Sequence, residues 1–252
     1  MMEKVYSRPS GIFEGAVTGF CPGCMHSSVC KVITEVLDEL GMVDNACYVQ
    51  GVGCCGLAVT YFDMDTVAAP HGRACAIASS FKRCSPETLV FTYQGDGDLA
   101  SIGLSEVLSA ANRGEKITVI FANNSTYGMT GGQLAPTTLV GQKATTAPRG
   151  RNPETEGYPT DMCALLNVFK APSFIARCAL NSVSGVREAK RAIKRAFQHQ
   201  LDGDAFSFVE LMTNCPTNWG MAPLDTLKFM EENTLKQFPV GVLRDRKGEE
   251  QE

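Results

Sequence analysis

Residues 94 to 103 read QGDGDLASIG and hold one carboxylate, Asp96, between Gly95 and Gly97 directly after the apolar run Leu89–Tyr93. A glycine turn after a strand suits phosphate, yet neither the G-x-G-x-x-G pattern nor a P-loop lysine is present, so the positive charge must come from elsewhere. A second polar pair, Asn123-Asn124, closes the apolar run Ile117–Ala122, with 25 residues between Gly97 and Asn123. A carboxylate and an amide carbonyl are hard oxygen ligands of the kind Mg²⁺ takes, and Mg²⁺ shares its other positions with water and phosphate oxygens. The metal would replace the missing lysine. The same chain carries eleven cysteines, at 21, 24, 30, 47, 54, 55, 75, 84, 163, 178 and 215. Cys21 and Cys24 form C-P-G-C, a spacing that serves a redox dithiol, half of a zinc site or half of an iron–sulfur site.

These groups need a scaffold, and the bulk properties bound it. A chain of 252 residues with 44% hydrophobic and 20% charged residues can bury a sizeable core. Its net charge of −4, with no Lys/Arg cluster, argues against nucleic acid or an acidic membrane surface as partner. The N-terminal MMEKVYSRPSGIFEGAV lacks a basic-then-apolar signal pattern, and no run approaches the roughly 20 apolar residues of a membrane span. The expectation is a cytoplasmic chain in a reducing compartment, where ligation of a metal or cluster explains the cysteines better than a disulfide framework.

Val29, Val32, Ile33, Val36, Leu37 and Leu40 recur at helical spacing before Gly41, which predicts a helix over 28–40. Strands are expected at 46–50, 88–93, 117–122, 174–178 and 206–212, and helices at 73–83, 101–112, 161–169, 184–200 and near 223–233. The last residues, RDRKGEEQE, read as a polar tail. Strands apolar throughout, alternating with helices, predict an α/β fold with a doubly wound, mainly parallel sheet whose binding site lies at the carboxyl ends of its strands. The segment from Asn123 to Thr160 is long, irregular and begins at such an end, so it is read as functional. Strands adjacent in sequence tend to be adjacent in space, which would bring Asp96 and Asn124 together.

The spacing GDG-x25-NN resembles the diphosphate-binding motif of thiamine diphosphate enzymes. That resemblance implies Mg²⁺ held by Asp96, Asn124 and the carbonyl of Thr126. FCPGC at 20–24, GVGCCG at 51–56, PHGRACA at 70–76, the GDGD segment, NNSTYGMTGGQLAPTT at 123–138 and NCPTNWG at 214–220 together look like the beta subunit of 2-oxoacid:ferredoxin oxidoreductases, and the likeness covers most of the chain. Its TYGMTGGQ-like loop and CPTNWG-like ending are similar to the branch acting on branched-chain 2-oxoacids. The resemblance implies one thiamine diphosphate-binding domain over 1–252, with a cysteine-rich segment at about 15–56 and an extension at about 214–252. Gly53, His71, Gly72, Gly95, Asp96, Gly97, Asp98, Asn124, Thr126, Tyr127, Gly128, Met129 and Thr130 would surround the cofactor, with His71 near its reactive end and Arg73 a candidate for the substrate carboxylate.

The same resemblance implies a [4Fe–4S] cluster on Cys21, Cys24, Cys54 and Cys215, although cysteine arithmetic alone does not separate it from a structural zinc site. Cys55 stands where the family has a small residue, so the ligand is Cys54 or Cys55, with Cys54 favoured. Cys30, Cys47, Cys75, Cys163 and Cys178 read as packing residues and Cys84 as a surface residue. His26 reads as a cap or packing residue and His199 as solvated. The activating glutamate of the superfamily belongs to a second domain, which implies a separate alpha subunit, with gamma and delta subunits and a ferredoxin as further partners. The implied reaction is oxidative decarboxylation of a 2-oxoacid with coenzyme A to acyl-CoA, CO₂ and reduced ferredoxin. The alternatives are a non-oxidative thiamine diphosphate subunit, such as a decarboxylase or transketolase half, and a non-catalytic iron–sulfur carrier.

Overall fold

The structure is a computed structural model and describes residues 7–249. Residues 1–6 of the N-terminal reading and 250–252 of the tail reading lie outside the described residues. In chain order the elements are α1 (His26–Leu40), β1 (Ala46–Gln50), β2 (Asp65–Ala68), α2 (Ala74–Cys84), β3 (Leu89–Gly95), α3 (Leu104–Arg113), β4 (Thr118–Asn123), α4 (Pro153–Glu156), α5 (Met162–Asn167), β5 (Phe174–Ala179), α6 (Val183–Leu201), β6 (Ser207–Met212), α7 (Pro216–Trp219), α8 (Pro223–Phe229), α9 (Leu235–Gln237), β7 (Gly241–Asp245) and α10 (Arg246–Glu249).

The strands form one sheet in the order β2-β1-β3-β4-β6-β5-β7, parallel throughout except for β7, which runs antiparallel to β5. Every residue of β4, β5 and β6 is buried, which is why these strands are apolar without alternation. On one face α1 and α6 cover Tyr48, Phe91, Val209 and Leu211. On the other α2, α3 and α5 cover Val49, Val90, Val119 and Phe208. Phe91 is fully buried beside Tyr48 and Phe197, so Phe91→Ala would cost about 3–5 kcal/mol through lost transfer energy and the cavity left behind. From β1 the chain turns outward to β2 and then returns across β1 to β3, so the winding reverses between β1 and β3, where a crevice opens at the carboxyl edge.

Several expectations need correction. The helix expected from Ser101 begins earlier: the chain coils from Asp96 to Ile102 in a wide π-type turn, in which the Gly103 amide donates to the Asp98 carbonyl at 2.9 Å, and only then enters α3. The amide-rich end facing the crevice is therefore GDGD itself. Strands β2 and β7 were not foreseen, because both lie at sheet edges and are half-exposed, without an apolar run. The described part of the polar tail is structured: Arg244 donates to carbonyls of Asn167, Phe169 and Pro172, and Asp245 accepts from Arg195. His199 is buried, not solvated, because Asp204 and Asp245 each approach one ring nitrogen at 2.9 Å and Phe174 stacks on its face. Among the described residues no helix is long and apolar enough to cross a membrane.

Candidate active site

Strands β3 and β4 pair with Gly95 opposite Ala122, so the chain leaves the sheet at Asp96 and Asn124 side by side. The Asn124 backbone amide donates to Asp96 Oδ2 at 3.0 Å, and the Thr137 hydroxyl donates to Asp96 Oδ1. The Asn124 side-chain amide faces Asp96 Oδ2 at 3.0 Å and the Thr126 carbonyl at 2.9 Å. With its NH₂ turned inward it donates to both; with its oxygen inward, that oxygen stands at these distances from the other two. An octahedron of oxygens around Mg²⁺ has edges of about 2.9 Å, so the donor set fits that ion. Burial pushes the Asp96 carboxyl up to about 7 against the hydrogen bonds from Thr137 and Asn124, and a cation beside it would act in the opposite direction.

The backbone between Asn124 and Thr126 is held in a left-handed conformation, Ser125 φ 59°. Asn123 Oδ1 accepts the Ser125 amide at 3.1 Å, a local bond that makes this conformation accessible, and the Asn123 amide donates to Glu210 Oε1 at 2.7 Å. Glu210 in turn takes the Arg177 Nε at 2.7 Å deep in the sheet. Burial alone would lower the Arg177 guanidinium, yet Glu210, with Cys163 and Asp161, outweighs it and holds it above its ordinary value. The two asparagines thus differ in role: Asn123 braces the turn and Asn124 faces the crevice.

Gly97 lies under the Tyr127 ring, and a Cβ there would sit inside that ring. The Asp98 carboxylate is engaged within the chain: it accepts His71 Nδ1 at 2.6 Å, the Gly72 amide at 2.7 Å and the Gln94 amide at 2.7 Å. A carboxylate on Nδ1 fixes the imidazole so that Nε2 of His71 is presented as an acceptor. Arg73 is not brought to the crevice; its guanidinium pairs with Glu106 and donates to the Ile102 carbonyl at 3.3 Å, because α2 and α3 pack side by side there. Gly72 is spent on Asp98 behind the crevice wall. The other residues expected around the cofactor, Gly53, His71, Gly95, Asp96, Gly97, Asp98, Asn124, Thr126, Tyr127, Gly128, Met129 and Thr130, line one crevice. Val52, Cys54, Cys55 and His26 line it too.

Cys54 and Cys215 flank the cofactor loop: their sulfurs lie 3.3 and 3.8 Å from where a Cβ on Gly128 would stand. Cys21, Cys24, Cys54 and Cys215 are electrostatic neighbours of one another. Burial pushes the Cys24 thiol up to about 11, the Cys54 thiol up to about 12 and that of Cys215 upward, so the thiolates a metal needs form only with the metal's own charge present. Among the described residues no three His, Cys, Asp or Glu side chains gather for a single metal ion. The four thiols are neighbours rather than a closed one-ion site.

Cys55 is buried at the crevice wall, its sulfur 3.8 Å from His26 Nδ1. His26, expected to cap or pack, is a buried crevice residue whose Nδ1 meets the Tyr93 hydroxyl at 2.5 Å, and burial pushes its ring down to about 4. Asn214 stitches distant segments together: it accepts the Met25 amide at 3.1 Å and donates to the Gly23 carbonyl at 3.1 Å and Thr226 at 2.7 Å. Gly23, with φ 75°, packs so closely on Pro223 that a side chain would collide. Trp219 Nε1 donates to the Asn124 carbonyl at 3.1 Å. The motif NCPTNWG carried these residues, but spacing alone did not reveal that Asn214 reaches the CPGC segment, Trp219 the NNST segment and Asn218 the Gly128 carbonyl.

A doubly wound sheet with an acidic glycine turn and an asparagine turn at neighbouring strand ends defines a thiamine diphosphate-binding domain. The family model of the thiamine pyrophosphate enzyme C-terminal TPP binding domain matches residues 51–211, more than half of the chain. The chain is 47% identical over 248 residues to ketoisovalerate oxidoreductase subunit VorA of Methanothermobacter thermautotrophicus, covering 98% of this chain and 52% of that protein. It is 38% identical over 225 residues to 2-oxoglutarate synthase subunit KorB of Archaeoglobus fulgidus, covering 89% of this chain and 80% of that subunit. Among solved structures, 2-oxoglutarate:ferredoxin oxidoreductase from Magnetococcus marinus shares the fold with a TM-score of 0.78 at 23% identity, over 95% of this chain and 85% of that one. The chain belongs to the beta subunits of the 2-oxoacid:ferredoxin oxidoreductase family. It spans about half the length of the ketoisovalerate relatives it matches.

Proposed function

We propose that this chain is the thiamine diphosphate- and iron–sulfur-binding part of an oxidoreductase that decarboxylates a 2-oxoacid with coenzyme A, yielding acyl-CoA, CO₂ and reduced ferredoxin. The observation that carries the reading is one crevice in which the oxygen trio of Asp96, Asn124 and Thr126 stands beside Cys54, itself an electrostatic neighbour of Cys21, Cys24 and Cys215. Asp96, Asn124 and the Thr126 carbonyl would hold Mg²⁺ and through it the diphosphate. Gly97 and Tyr127 would flank that group, with the first amides of the π-type turn aimed at it. Thiamine diphosphate supplies, when bound, the electron sink for decarboxylation.

The four cysteines would hold a [4Fe–4S] cluster that passes electrons out one at a time, an exit zinc does not provide. Cys54, not Cys55, is the ligand this reading assigns, because Cys55 faces Tyr93 and His26. His71, oriented by Asp98, would offer Nε2 as a hydrogen-bond acceptor to the reacting groups. The branched-chain preference rests on the 47% identity to a ketoisovalerate subunit. We take the chain as a single domain acting in the cytoplasm with an alpha subunit that supplies the activating glutamate, with gamma and delta subunits and with ferredoxin.

The test is turnover of the complex reconstituted with its partner subunits, supplied with ketoisovalerate or 2-oxoglutarate, coenzyme A and ferredoxin. Ferredoxin reduction dependent on coenzyme A, at higher kcat/KM for ketoisovalerate, is the expected result. Decarboxylation without ferredoxin reduction would replace the reading with a non-oxidative one.

A further inference from the structure

His26 opens α1, and its backbone amide is directed at the Cys24 sulfur. Its side chain is nearly fully buried, stacked on Phe20, and lines the crevice. Two groups meet Nδ1: the Tyr93 hydroxyl at 2.5 Å and the Cys55 sulfur at 3.8 Å. Both carry a proton that needs an acceptor, and the unprotonated imidazole nitrogen is the best acceptor of the three. The phenol is a stronger donor than the thiol and stands closer, so the arrangement that pairs the strongest donor with that acceptor has the Tyr93 hydroxyl donating to Nδ1. The ring proton then resides on Nε2. Among the described residues Nε2 has no hydrogen-bond partner.

His71 is the reverse case. Its Nδ1–H is taken by Asp98, which leaves its Nε2 an acceptor. The crevice therefore holds two imidazoles of opposite character, fixed by opposite partners on Nδ1.

We propose that His26 is a catalytic residue whose Nε2–H donates a hydrogen bond to the C2 carbonyl oxygen of the bound 2-oxoacid. The inference rests on the oxidoreductase reading and adds to it the group that meets the charge developing on that oxygen. A donor fixed in advance in a water-poor site stabilises such charge without reorganising during the reaction. Tyr93 and Cys55 are positioning residues, since they act only through the ring.

In the assembled complex, His26→Leu lowers kcat/KM for the 2-oxoacid by about 10²-fold, the effect of losing one such donor. His26→Gln, which keeps an N–H donor, recovers about tenfold of that loss. Tyr93→Phe, which releases the ring, gives a smaller loss than His26→Leu. Iron content and thiamine diphosphate affinity stay at the parent level in all three. Parent-level kcat/KM in His26→Leu would overturn the proposal. A second readout needs no turnover: nitrogen-15 NMR of the full chain labelled at its three histidines, with His26 identified by its loss in His26→Gln. The expected result is an Nε2–H ring, and an Nδ1–H ring would overturn the proposal even where the variants fold poorly. Because the tautomer is read without substrate, this failure is distinct from failure of the oxidoreductase reading, which a complex without turnover would show.

Discussion

Asn218 donates its side-chain amide both to the Cys215 sulfur at 3.2 Å and to the Gly128 carbonyl at 2.8 Å. One group thus ties a proposed cluster ligand to the loop over the proposed diphosphate site. Hydrogen bonds to a ligating sulfur stabilise the reduced, more negative cluster and raise its potential. Asn218→Leu is expected to shift the cluster midpoint to a more negative value with iron content unchanged, measured by redox titration of the electron paramagnetic resonance signal. An unchanged midpoint would mean that Asn218 serves the Gly128 loop alone.

Thr137 acts on Asp96 from behind, by donating to the carboxylate oxygen that the Asn124 amide leaves open. Groups that orient a metal ligand in this way are worth about 10–100-fold in metal affinity. Thr137→Val should therefore raise the Mg²⁺ concentration for half-maximal thiamine diphosphate binding by about that factor, and Asp96→Ala should abolish Mg²⁺-dependent binding. A Mg²⁺ titration at fixed thiamine diphosphate, followed by the fluorescence of the single tryptophan, Trp219, reads both.

Glu210 and Arg177 form a buried pair under the Asn123 turn, with side chains 0% and 3% exposed. Removing Glu210 leaves the buried Arg177 with only the partly exposed Asp161 as its carboxylate, so the cost lies toward the lower end of the roughly 3–5 kcal/mol of a broken buried pair. Glu210→Gln is expected to lower the urea midpoint accordingly. The same variant should weaken thiamine diphosphate binding, since Asn123 loses its anionic acceptor and braces Ser125 less well.

At the far end of the sheet, burial acts to raise Asp245 and Asp204, yet hydrogen bonds from Arg195, Lys247 and His199 outweigh it and hold both carboxyls below the ordinary aspartate value. A carboxyl so depressed stays ionised in the folded chain where the unfolded chain has already bound a proton. Its stabilisation is complete above the ordinary value of about 4 and is lost as the pH falls through the depressed one. The urea midpoint should fall between pH 6 and pH 3, and fall less in Asp245→Asn.

The central strands were readable because burial on both faces writes them as continuous apolar runs, and α1 because its stripe ends at Gly41, where a left-handed cap closes the helix. The pairing of β3 with β4, and with it the approach of Asp96 to Asn124, followed from adjacency in sequence. What periodicity could not show is what tertiary contact decides. Strand β7 carries no apolar run: its last two residues, Arg244 and Asp245, find partners at the end of α5, in the turn after it and in α6. His199 looked solvated because the aspartates that take its ring nitrogens lie beyond its helix. Arg73 has the composition of a substrate ligand, and only the packing of α2 on α3 shows that Glu106 has taken it. The partner of His26 Nδ1, Tyr93, lies 67 residues away and was invisible from the neighbours of His26 in sequence.

The measurement that bears most directly on the central claim is iron and acid-labile sulfide on the anaerobically purified chain, with an electron paramagnetic resonance spectrum after dithionite reduction. The account predicts about four irons per chain and a reduced-cluster signal, both lost in Cys24→Ala and retained in Cys55→Ser. Zinc, or a chain without iron, would contradict it by removing the electron exit, and the Asp96–Asn124 site would then belong to non-oxidative thiamine diphosphate chemistry.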